Sequence, residues 1–481
     1  MKKSAALTLC LLSLAGCVSG PDYRRPTTPT PANFSATLRA DPTQQIGHVN
    51  WWVIFNDPSL SSLEEACITS NQDLRAAIAR TDQARTYSTI ARSYSFPTIG
   101  ANGNLGRYGE ARDRVNNTAA GAQPGSYNDF NASISLNYEI DAWGRVRRSI
   151  EAANAEQQAS QADFETIRLS LTSELAVDYF SLRAIDAQVR VLSETVKALK
   201  TSLDLTSLRY RNGLASKLDV QQAQTLLQSE QAQEVALGIG RRQFENAIAV
   251  LTGQSASEFS IHPTSLSGSP PPLNPGLPID LLAHRPDIAE KERTLAARSA
   301  LIGVTQAERL PSISLTGAAG FESVDAGTLF NWAANRTFAL GSGIAAPLFN
   351  AGRLKARVSA AEASYREAEA NYRQNVLVAF GDVETQLSAL HLLADQALFQ
   401  EAATESAREA TTIALDRYRN GIESYLNVVT QQTVQLQNEL AAVQIVGARY
   451  VSTVNLIKAL GGGWADSQVY LHQKQQDDPH S

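Results

Sequence analysis

Two very long stretches of the chain contain almost no residue that would break a helix, and both lead into the same five-residue element. Residues 145–212 contain neither Gly nor Pro, and residues 353–420 contain only Gly381. Each stretch runs into Arg-Tyr-Arg-Asn-Gly, and residues 208–220 match residues 416–428 at eight of thirteen positions. At about 1.5 Å per residue, each stretch predicts a helix roughly 100 Å long. The fold therefore has to accommodate two very long helices.

The residues after each stretch predict a tight turn and a returning helix. Gly213 and Gly421 stand just past the predicted helix ends, where a positive φ is usually needed. Ser216 and Ser424 follow as N-caps. The returning arms are residues 217–252 and 425–460. Each Arg-Tyr-Arg-Asn-Gly element is thus predicted to be the turn of a helical hairpin.

The repetition extends over most of the chain. The aligned segments are 71–99 with 285–313 at an offset of 214, 143–146 with 351–354 at an offset of 208, and 249–253 with 458–462, one residue further along. Two copies with the same internal order predict a duplicated architecture rather than two unrelated domains.

Each copy is predicted to contain a helix, a β-hairpin and a long helical hairpin. The first copy spans 60–254, with these parts at 60–94, about 98–140 and about 144–252. The second copy spans 280–464, with the same parts at 280–309, about 311–347 and about 352–460. Residues 255–279 form a Pro-rich linker, and the polar tail 465–481 is predicted to be disordered. The hairpins are predicted from alternating apolar residues and from loops rich in Gly, Asn and Asp.

The two long helical hairpins differ in their packing pattern. In the first, apolar residues recur in alternating steps of three and four, which is typical of a coiled-coil seam. They are Leu182, Ile185, Val189, Leu192, Val196, Leu199 and Leu203. The matching positions between Leu390 and Thr411 are smaller and more polar. The two hairpins are therefore predicted to lie in different packing environments.

The first residues predict export and attachment to a membrane. Residues 1–16 combine a basic start, a short apolar run and small residues, as in a secretory signal peptide. Leu14-Ala15-Gly16-Cys17 resembles the bacterial lipobox, in which the cysteine becomes the lipidated first residue. Val18 stands where an aspartate would indicate inner-membrane retention, so the outer membrane is favoured. Residues 17–59 are thus predicted to be a lipidated, extended N-terminal segment that precedes the first copy. The alternative is an ordinary signal peptide that happens to contain Cys17.

Charge and motif content exclude several classes of function. The net charge is −6, which gives no general attraction to nucleic acid. The six histidines lie far apart, and the sequence contains no zinc-protease, phosphate-loop, nucleophile-elbow or dinucleotide motif. No enzyme activity, cofactor or metal site is therefore predicted. Met1 is the only methionine, which excludes a methionine ladder for soft metals in the mature protein.

A membrane crossing would have to use the predicted strands, because no run of 18 or more apolar residues follows the signal peptide. Two hairpins supply four strands, whereas the smallest bacterial outer-membrane barrels need eight. Since an open sheet edge is not tolerated in lipid, several chains would share one barrel. Aromatic residues bracket the strands, as they do at membrane interfaces, although packing in a soluble sheet would also explain them. They are Tyr127, Phe130, Tyr138, Trp143, Phe321, Phe330, Trp332, Phe338 and Phe349.

An ordered set of segments resembles the TolC-type outer-membrane efflux proteins, and within them the lipoprotein exit ducts of resistance-nodulation-division (RND) pumps. The segments are Trp51-Trp52-x-x-Phe55-x-Asp57-Pro58-x-Leu60, Asn71-Gln72-Asp73-Leu74, the two turns, Phe380-Gly381-Asp382-Val383-Glu384 and Leu460-Gly461-Gly462-Gly463-Trp464. The resemblance implies a mainly α fold that forms a homotrimer. Its four strands per chain would build a 12-stranded transmembrane β-barrel, continuous with an α-helical barrel in the periplasm.

The resemblance also implies a function. Such a protein is the passive exit duct for drugs and small toxic compounds in a tripartite efflux system. An inner-membrane RND pump supplies the energy, and a periplasmic adaptor joins the pump to the duct. An exit duct of a type I protein secretion system and a soluble coiled-coil scaffold are the alternatives.

The resemblance assigns the two turns to the periplasmic end of the duct, where the adaptor binds and the resting duct closes. The adaptor-binding candidates are Arg209, Tyr210, Arg211, Gly213, Ser216, Arg417, Tyr418, Arg419, Gly421 and Ser424. Arginines at a helix C-terminus also complement the helix dipole, so a structural role is open as well.

The gate candidates are Leu218, Asp219, Tyr418, Leu426 and Thr430. Relatives often carry an aspartate four residues after the leucine of the second turn and an arginine three residues later; here Thr430 and Thr433 occupy these positions. The charged lock is therefore absent, and Tyr418 and Leu426 are expected to form an apolar constriction. Asp219 and Asp416 are candidate acidic groups near the mouth.

Overall fold

The computed structural model describes residues 18–34, 50–109, 126–266, 268–273, 276 and 278–464. The signal peptide, Cys17 and the tail 465–481 lie outside these residues. The helices are α1 Pro58–Ser70, α2 Gln72–Ser93, α3 Arg145–Arg211, α4 Lys217–Leu251, α5 Leu281–His284, α6 Pro286–Ala307, α7 Trp332–Asn335, α8 Arg353–Arg419 and α9 Tyr425–Ala459. The strands are β1 Thr98–Gly109, β2 Ser126–Ile140, β3 Ser312–Ser323 and β4 Arg336–Ala345.

The chain divides into two compact units. The first consists of Met1–Thr27, Thr81–Ser160 and Lys291–Tyr372, and the second of Thr28–Arg80, Gln161–Glu290 and Arg373–Ser481. The first unit contains the four strands, and the second contains both helical turns.

The two helical hairpins have the predicted positions and equal lengths. Helices α3 and α8 each contain 67 residues, and α4 and α9 each contain 35. The glycines of the intervening turns, Gly213 and Gly421, both have a φ of 73°. The duplication of the helical hairpins is confirmed.

The first helical segment of each copy, predicted at 60–94 and 280–309, is not continuous. The helix is broken at Asn71 in the first copy and at the equivalent Arg285 in the second. Asn71 is extended, with ψ at 131°, and its side chain donates to the last carbonyl of α4 at 2.9 Å. Arg285 precedes Pro286, whose ring disfavours a helical conformation in the residue before it. Two different causes thus produce the same break.

The end of the second copy keeps the offset of 208 residues, so the predicted shift of one residue is wrong. Gly253 and Gly461 have φ values of 69° and 93°. In the first copy the Gln254 N–H donates to the carbonyl of Ala249 at 2.8 Å. In the second copy the Gly462 N–H donates in the same way to the carbonyl of Ile457 at 2.9 Å. The preceding helices end at Leu251 and Ala459, also 208 residues apart, so Gly253 corresponds to Gly461 rather than Gly462.

The four strands form one antiparallel sheet in the order β1-β2-β3-β4. The pairs β1–β2 and β3–β4 are the two predicted hairpins. Strand β2 also pairs with β3, from Phe130 opposite Ser323 to Ile140 opposite Ile313, and this pairing was not predicted. The hairpins of the two copies therefore merge into one meander whose edges are β1 and β4.

The register brings the apolar residues of all four strands onto one face. Opposed residues of an antiparallel pair point to the same face, and faces alternate along each strand. Ile99, Leu136, Gly317 and Leu340, for example, lie opposite one another across the sheet. The large members of this apolar face are Ile99, Leu105, Phe130, Ile134, Leu136, Tyr138, Ile140, Ile313, Leu315, Phe321, Phe338, Leu340 and Ile344. The other face carries Ser, Thr, Asn, Ala and Gly together with carboxylates, and at one end the paired rings of Tyr108 and Tyr127.

The N-terminal segment is held beside the start of α3. The Ser19 N–H donates to the carbonyl of Trp143 at 2.9 Å, and the Arg148 guanidinium donates to the carbonyl of Ser19 at 3.2 Å. Gly20, with a φ of 93°, lies against the backbone of Gly303, where a Cβ atom would overlap. Both glycines are therefore needed for this close approach.

The polar seam of the second helical hairpin is joined by hydrogen bonds. Gln400 donates to the side chain of Asn438 at 2.8 Å, and the Thr411 hydroxyl donates to the carbonyl of Gln431 at 3.0 Å. At the matching seam of the first hairpin, Leu192 is fully buried. The predicted difference between the two hairpins is confirmed, because one seam is apolar and the other is hydrogen-bonded.

Candidate functional site

The turns that end α3 and α8 close with the same two backbone hydrogen bonds. In the first turn the Gly213 N–H donates to the backbone carbonyl of Tyr210 at 2.9 Å, and the Leu214 N–H donates to that of Arg209 at 2.8 Å. The second turn repeats both bonds, from Gly421 and the residue after it, each at 2.9 Å. This arrangement satisfies the last carbonyls of each long helix and needs the left-handed conformation that glycine adopts readily.

The helices that leave the turns are capped differently. Ser216 Oγ accepts the Asp219 N–H at 3.2 Å, and the Asp219 carboxylate accepts the Ser216 N–H at 2.9 Å. Asp219, one of the gate candidates, is therefore engaged in a reciprocal capping box with Ser216. Within the described residues, Ser424 makes no side-chain cap bond, and Asn427 stands in the place of Asp219.

Arg209 of the first turn reaches the second turn. Its guanidinium carbon lies 4.8 Å from the ring centroid of Tyr418, and its Nη1 donates to the carbonyl of Arg419 at 2.8 Å. A cation over an aromatic face contributes about 0.5–2 kcal/mol, depending on how far it is desolvated. Arg209 is thus a direct link between the turns of the two copies.

Tyr418 lies inside an apolar cluster. Its side chain is 4% exposed and packs against Tyr425, with ring centroids 5.1 Å apart. The cluster also contains Ala223, Ala414 and Val428. Sequence reasoning missed Tyr425, which is fully buried, shares a hydrogen bond with Ser202 and replaces Lys217 of the first copy. The replacement of lysine by tyrosine at this position was the sequence difference that could have indicated a buried residue in the second turn.

Most other candidates of the two turns are exposed. Among the gate candidates, Leu218 and Leu426 are 65% and 59% exposed, and the Thr430 hydroxyl donates to the carbonyl of Leu426 at 2.9 Å. Asp416 is engaged, because Arg419 Nη1 lies 3.1 Å from its carboxylate. The remaining exposed tip residues include Tyr210, Arg211, Leu214, Arg417 and Ile422. The exposed leucines fit an apolar constriction, whereas Tyr418 would act on it only through packing.

Removal of the Arg209 side chain is expected to loosen the second turn. In Arg209→Ala the stacking on Tyr418 and the bond to Arg419 are lost, so the local opening free energy of residues 414–425 should fall by about 1–2 kcal/mol. Amide hydrogen exchange of the assembled protein measures this change. Arg211→Ala removes an exposed arginine of the same turn and should leave the exchange unaltered; equal protection in both variants would contradict the link.

A second notable group is the carboxylate of Glu64 in α1. The residue is fully buried, and neither carboxylate oxygen has a hydrogen-bond partner among the described residues. Burial raises the pKa of Glu64 well above its usual value. Burial, with Glu64 and Glu174 nearby, also raises the pKa of the Cys67 thiol to about 12. Cys67 is thus a free, buried cysteine whose thiol packs as a small side chain.

Glu64 is expected to make the stability of the protein fall as pH rises. The folded state binds the Glu64 proton more tightly than the unfolded state, so stability is lost from a pH near the unfolded pKa of about 4.3 upwards, through the raised folded pKa. As pH rises through this window, the difference in unfolding free energy between Glu64→Gln and the wild type should shift in favour of the variant by up to about 1.4 kcal/mol per pH unit. Thermal unfolding between pH 5 and 8 measures the difference, with Glu65→Gln, exposed on the same helix, as the control. A difference that stays constant with pH would contradict this role.

Two helices of the second copy contain an apolar window long enough to cross a membrane. Helices α8 and α9 each contain a window of 18 residues that is apolar enough. In the single chain, 22% of the window in α8 and 33% of the window in α9 are buried. Helices that pack against other protein meet the same criterion, so a crossing by strands alone stays a prediction. Exposed members of α8 include Leu392, Leu398 and Phe399. Such a surface on a single chain marks a place where protein or lipid would cover it.

Comparisons with known proteins match this architecture along nearly the whole chain. The sequence profile of the outer membrane efflux protein family matches residues 65–254 and 277–462. The pyoverdine export outer membrane protein OpmQ of Pseudomonas putida is 33% identical over 95% of this chain and 98% of its own length. The probable efflux pump outer membrane protein TtgC of the same species is 31% identical over 98% of both chains. The crystal structure of the outer membrane channel CmeC of Campylobacter jejuni superimposes with a TM-score of 0.86 at 26% identity, covering 96% of this chain and 99% of that one.

The two matched ranges coincide with the two copies seen in the sequence and in the helical hairpins. The resemblance inferred from the sequence is thereby confirmed, and the protein is an outer-membrane component of an efflux system. The chain belongs to the outer membrane efflux protein family.

Proposed function

We propose that three copies of the chain form one exit duct of a tripartite efflux system, with a 12-stranded barrel in the outer membrane and an α-helical barrel in the periplasm. Drugs and small toxic compounds pass through it without any reaction being catalysed. An inner-membrane RND pump supplies the energy and selects the cargo, and a periplasmic adaptor joins pump and duct. One relative exports pyoverdine, which supports small organic compounds as the cargo class.

The observation that carries this proposal is the register of the sheet. It produces one apolar face and one polar face, while among the residues that the structure describes the outer edges of β1 and β4 have no neighbouring strand in a single chain. Unpaired edges are not tolerated in lipid. Pairing β4 of one copy with β1 of the next closes a ring, and three copies give a strand number within the range of bacterial outer-membrane barrels. The apolar face then meets lipid and the polar face lines the passage.

Exposed apolar side chains of α8 support the same assembly. Leu398 and Phe399, 68% and 78% exposed in the single chain, would be covered by a neighbouring copy. A soluble single-chain scaffold would leave this surface in water. The exposed leucines and arginines of the turns would then meet the helical hairpin of the adaptor.

The position of the N-terminal segment supports lipidation of Cys17. Ser19 is hydrogen-bonded to Trp143, just after β2 ends at Ile140 on the apolar face. The chain two positions after the lipobox cysteine is therefore held at this end of the sheet. A lipid anchor at the end of the barrel next to the helices would enter the inner leaflet of the outer membrane.

The assembly can be tested with the full-length protein extracted from outer membranes. We expect a requirement for detergent, a trimer that resists SDS until it is heated, and a native mass of three lipidated chains. A monomer that stays in solution without detergent would overturn the duct and favour the scaffold. A trimer of the mass of unacylated chains would retain the duct but reject Cys17 as the lipid attachment site.

A further inference from the structure

The charged residues of the four strands are divided between the two faces of the sheet. Arg107 and Arg336 belong to the apolar face, because Arg107 lies opposite Asn128 and Arg336 lies opposite Phe321. The carboxylates of these strands, Asp129, Glu139 and Glu322, all alternate onto the polar face. The apolar face thus carries cations without carboxylates from the described strands.

Both arginines lie at the same end of the sheet. Arg107 is near the end of β1, before the hairpin connection to β2, and Arg336 is the first residue of β4, after the connection from β3. The opposite ends of the strands lead into the helices. If the helices lie in the periplasm, the arginines mark the level of the outer leaflet.

Aromatic rings surround Arg336. Its guanidinium carbon lies 5.9 Å from the ring centroid of Trp332, and the rings of Trp332 and Phe330 pack edge-on against Phe321 at 5.9 and 5.5 Å. Phe338, the next residue of β4 on this face, is 86% exposed. Rings of this kind favour the boundary between hydrocarbon and headgroups, so Arg336 would lie at headgroup level.

Arg107 has a comparable setting at the other edge of the sheet. Its Nη2 donates to Ser126 Oγ at 2.9 Å, which directs the guanidinium along the apolar face. Leu105, the preceding residue of this face, is strongly exposed. Closure of the ring by β4–β1 pairing would bring the strand of Arg336 next to the strand of Arg107 of the neighbouring copy.

We propose that Arg107 and Arg336 bind the phosphates of the phosphorylated glycolipid in the outer leaflet of the outer membrane, at each seam between copies. This inference rests on the proposed barrel. Guanidinium groups form bidentate, charge-assisted bonds to phosphate, and these are strongest where water is scarce. A lipid headgroup with two phosphates on a rigid disaccharide matches two cations on adjacent strands, while the exposed rings and leucines beside them pack against its acyl chains.

The test compares the full-length wild type, in detergent, with Arg107→Gln/Arg336→Gln and with Lys197→Gln/Lys200→Gln. The lysine pair is exposed on α3 and removes the same charge elsewhere. Native mass spectrometry measures binding of bisphosphorylated lipid A, of its dephosphorylated form and of phosphatidylglycerol. The wild type and the lysine variant should bind bisphosphorylated lipid A at least about tenfold more tightly than the dephosphorylated form, and the arginine variant should lose this preference.

Three outcomes would overturn the proposal. They are a phosphate preference that survives in the arginine variant, equal affinity of the wild type for both forms of lipid A, and equal affinity for phosphatidylglycerol and bisphosphorylated lipid A. Failure of the barrel itself looks different, because a sheet outside the membrane would bind none of the three lipids and would need no detergent.

Discussion

Ile134→Arg should abolish insertion of the protein into the outer membrane. Ile134 lies near the middle of β2 on the apolar face, opposite Ala101 and Ala319, and is 60% exposed in the single chain. An arginine there meets no steric obstacle in water, so a chain with a soluble sheet would tolerate it. In lipid, an arginine at the middle of a barrel strand costs about 2–4 kcal/mol, and a trimer carries this cost three times.

The matched control is Asn137→Arg on the same strand. Asn137 lies on the polar face, opposite Thr98 and Thr316, and is exposed as well. Its arginine would point into the water-filled passage, so assembly should remain near the wild-type level. Heat-modifiable trimers in the outer-membrane fraction measure both variants. Equal amounts of trimer in both would mean that the apolar face does not meet lipid.

Gly421→Pro and Gly213→Pro should each abolish efflux while trimers still assemble. Proline fixes φ near −65°, whereas both glycines have a φ of 73°. Proline also removes the N–H that donates to the carbonyl of Tyr418 or Tyr210. The local cost is about 3 kcal/mol or more, and it falls on the turn alone because the long helices keep their own hydrogen bonds. The exposed tip residues would be displaced from the adaptor.

Asparagine at the same positions supplies the control, since it tolerates the left-handed conformation better than other side chains. Among the described residues beyond its two chain neighbours, no atom lies within 4 Å of a Cβ built at Gly213, so Gly213→Asn should retain most of the efflux activity. Susceptibility of cells to exported compounds, together with trimer abundance, separates the effects. Full resistance in both proline variants would show that the turns are neither the docking nor the opening element.

Much of the helical architecture could be predicted because its signals are local. The absence of Gly and Pro over residues 145–212 and the glycines at 213 and 421 indicate helix length and helix end without any knowledge of the fold. The breaks at Asn71 and Arg285 show the limit of this approach. Pro286 was a visible local signal. Asn71 caps the following helix locally, because its Oδ1 accepts the Leu74 N–H at 3.0 Å, and only its further bond to α4, a segment far away in the chain, could not be predicted.

The candidate site also has some features that the sequence predicts and others that depend on the fold. The turn residues were found from the repeat, and their glycine geometry follows from it. The burial of Tyr418 and its contact with Arg209 were not predictable, because the two residues belong to different copies and only packing brings them together. The expectation that Tyr418 contributes to a constriction came from its place in the turn, and it stays a prediction.

What the sequence alone determined about this protein is its duplicated helical hairpins, their lengths, their turns and the family to which it belongs. These depend on spacing and on the backbone preferences of single residues, which act within a few positions of the chain. Only the tertiary structure decided that β2 pairs with β3 and that four strands align their apolar residues on one face. That register joins residues from the two copies, and since a shift of one residue would reverse every side chain, it is settled by the packing of the whole sheet.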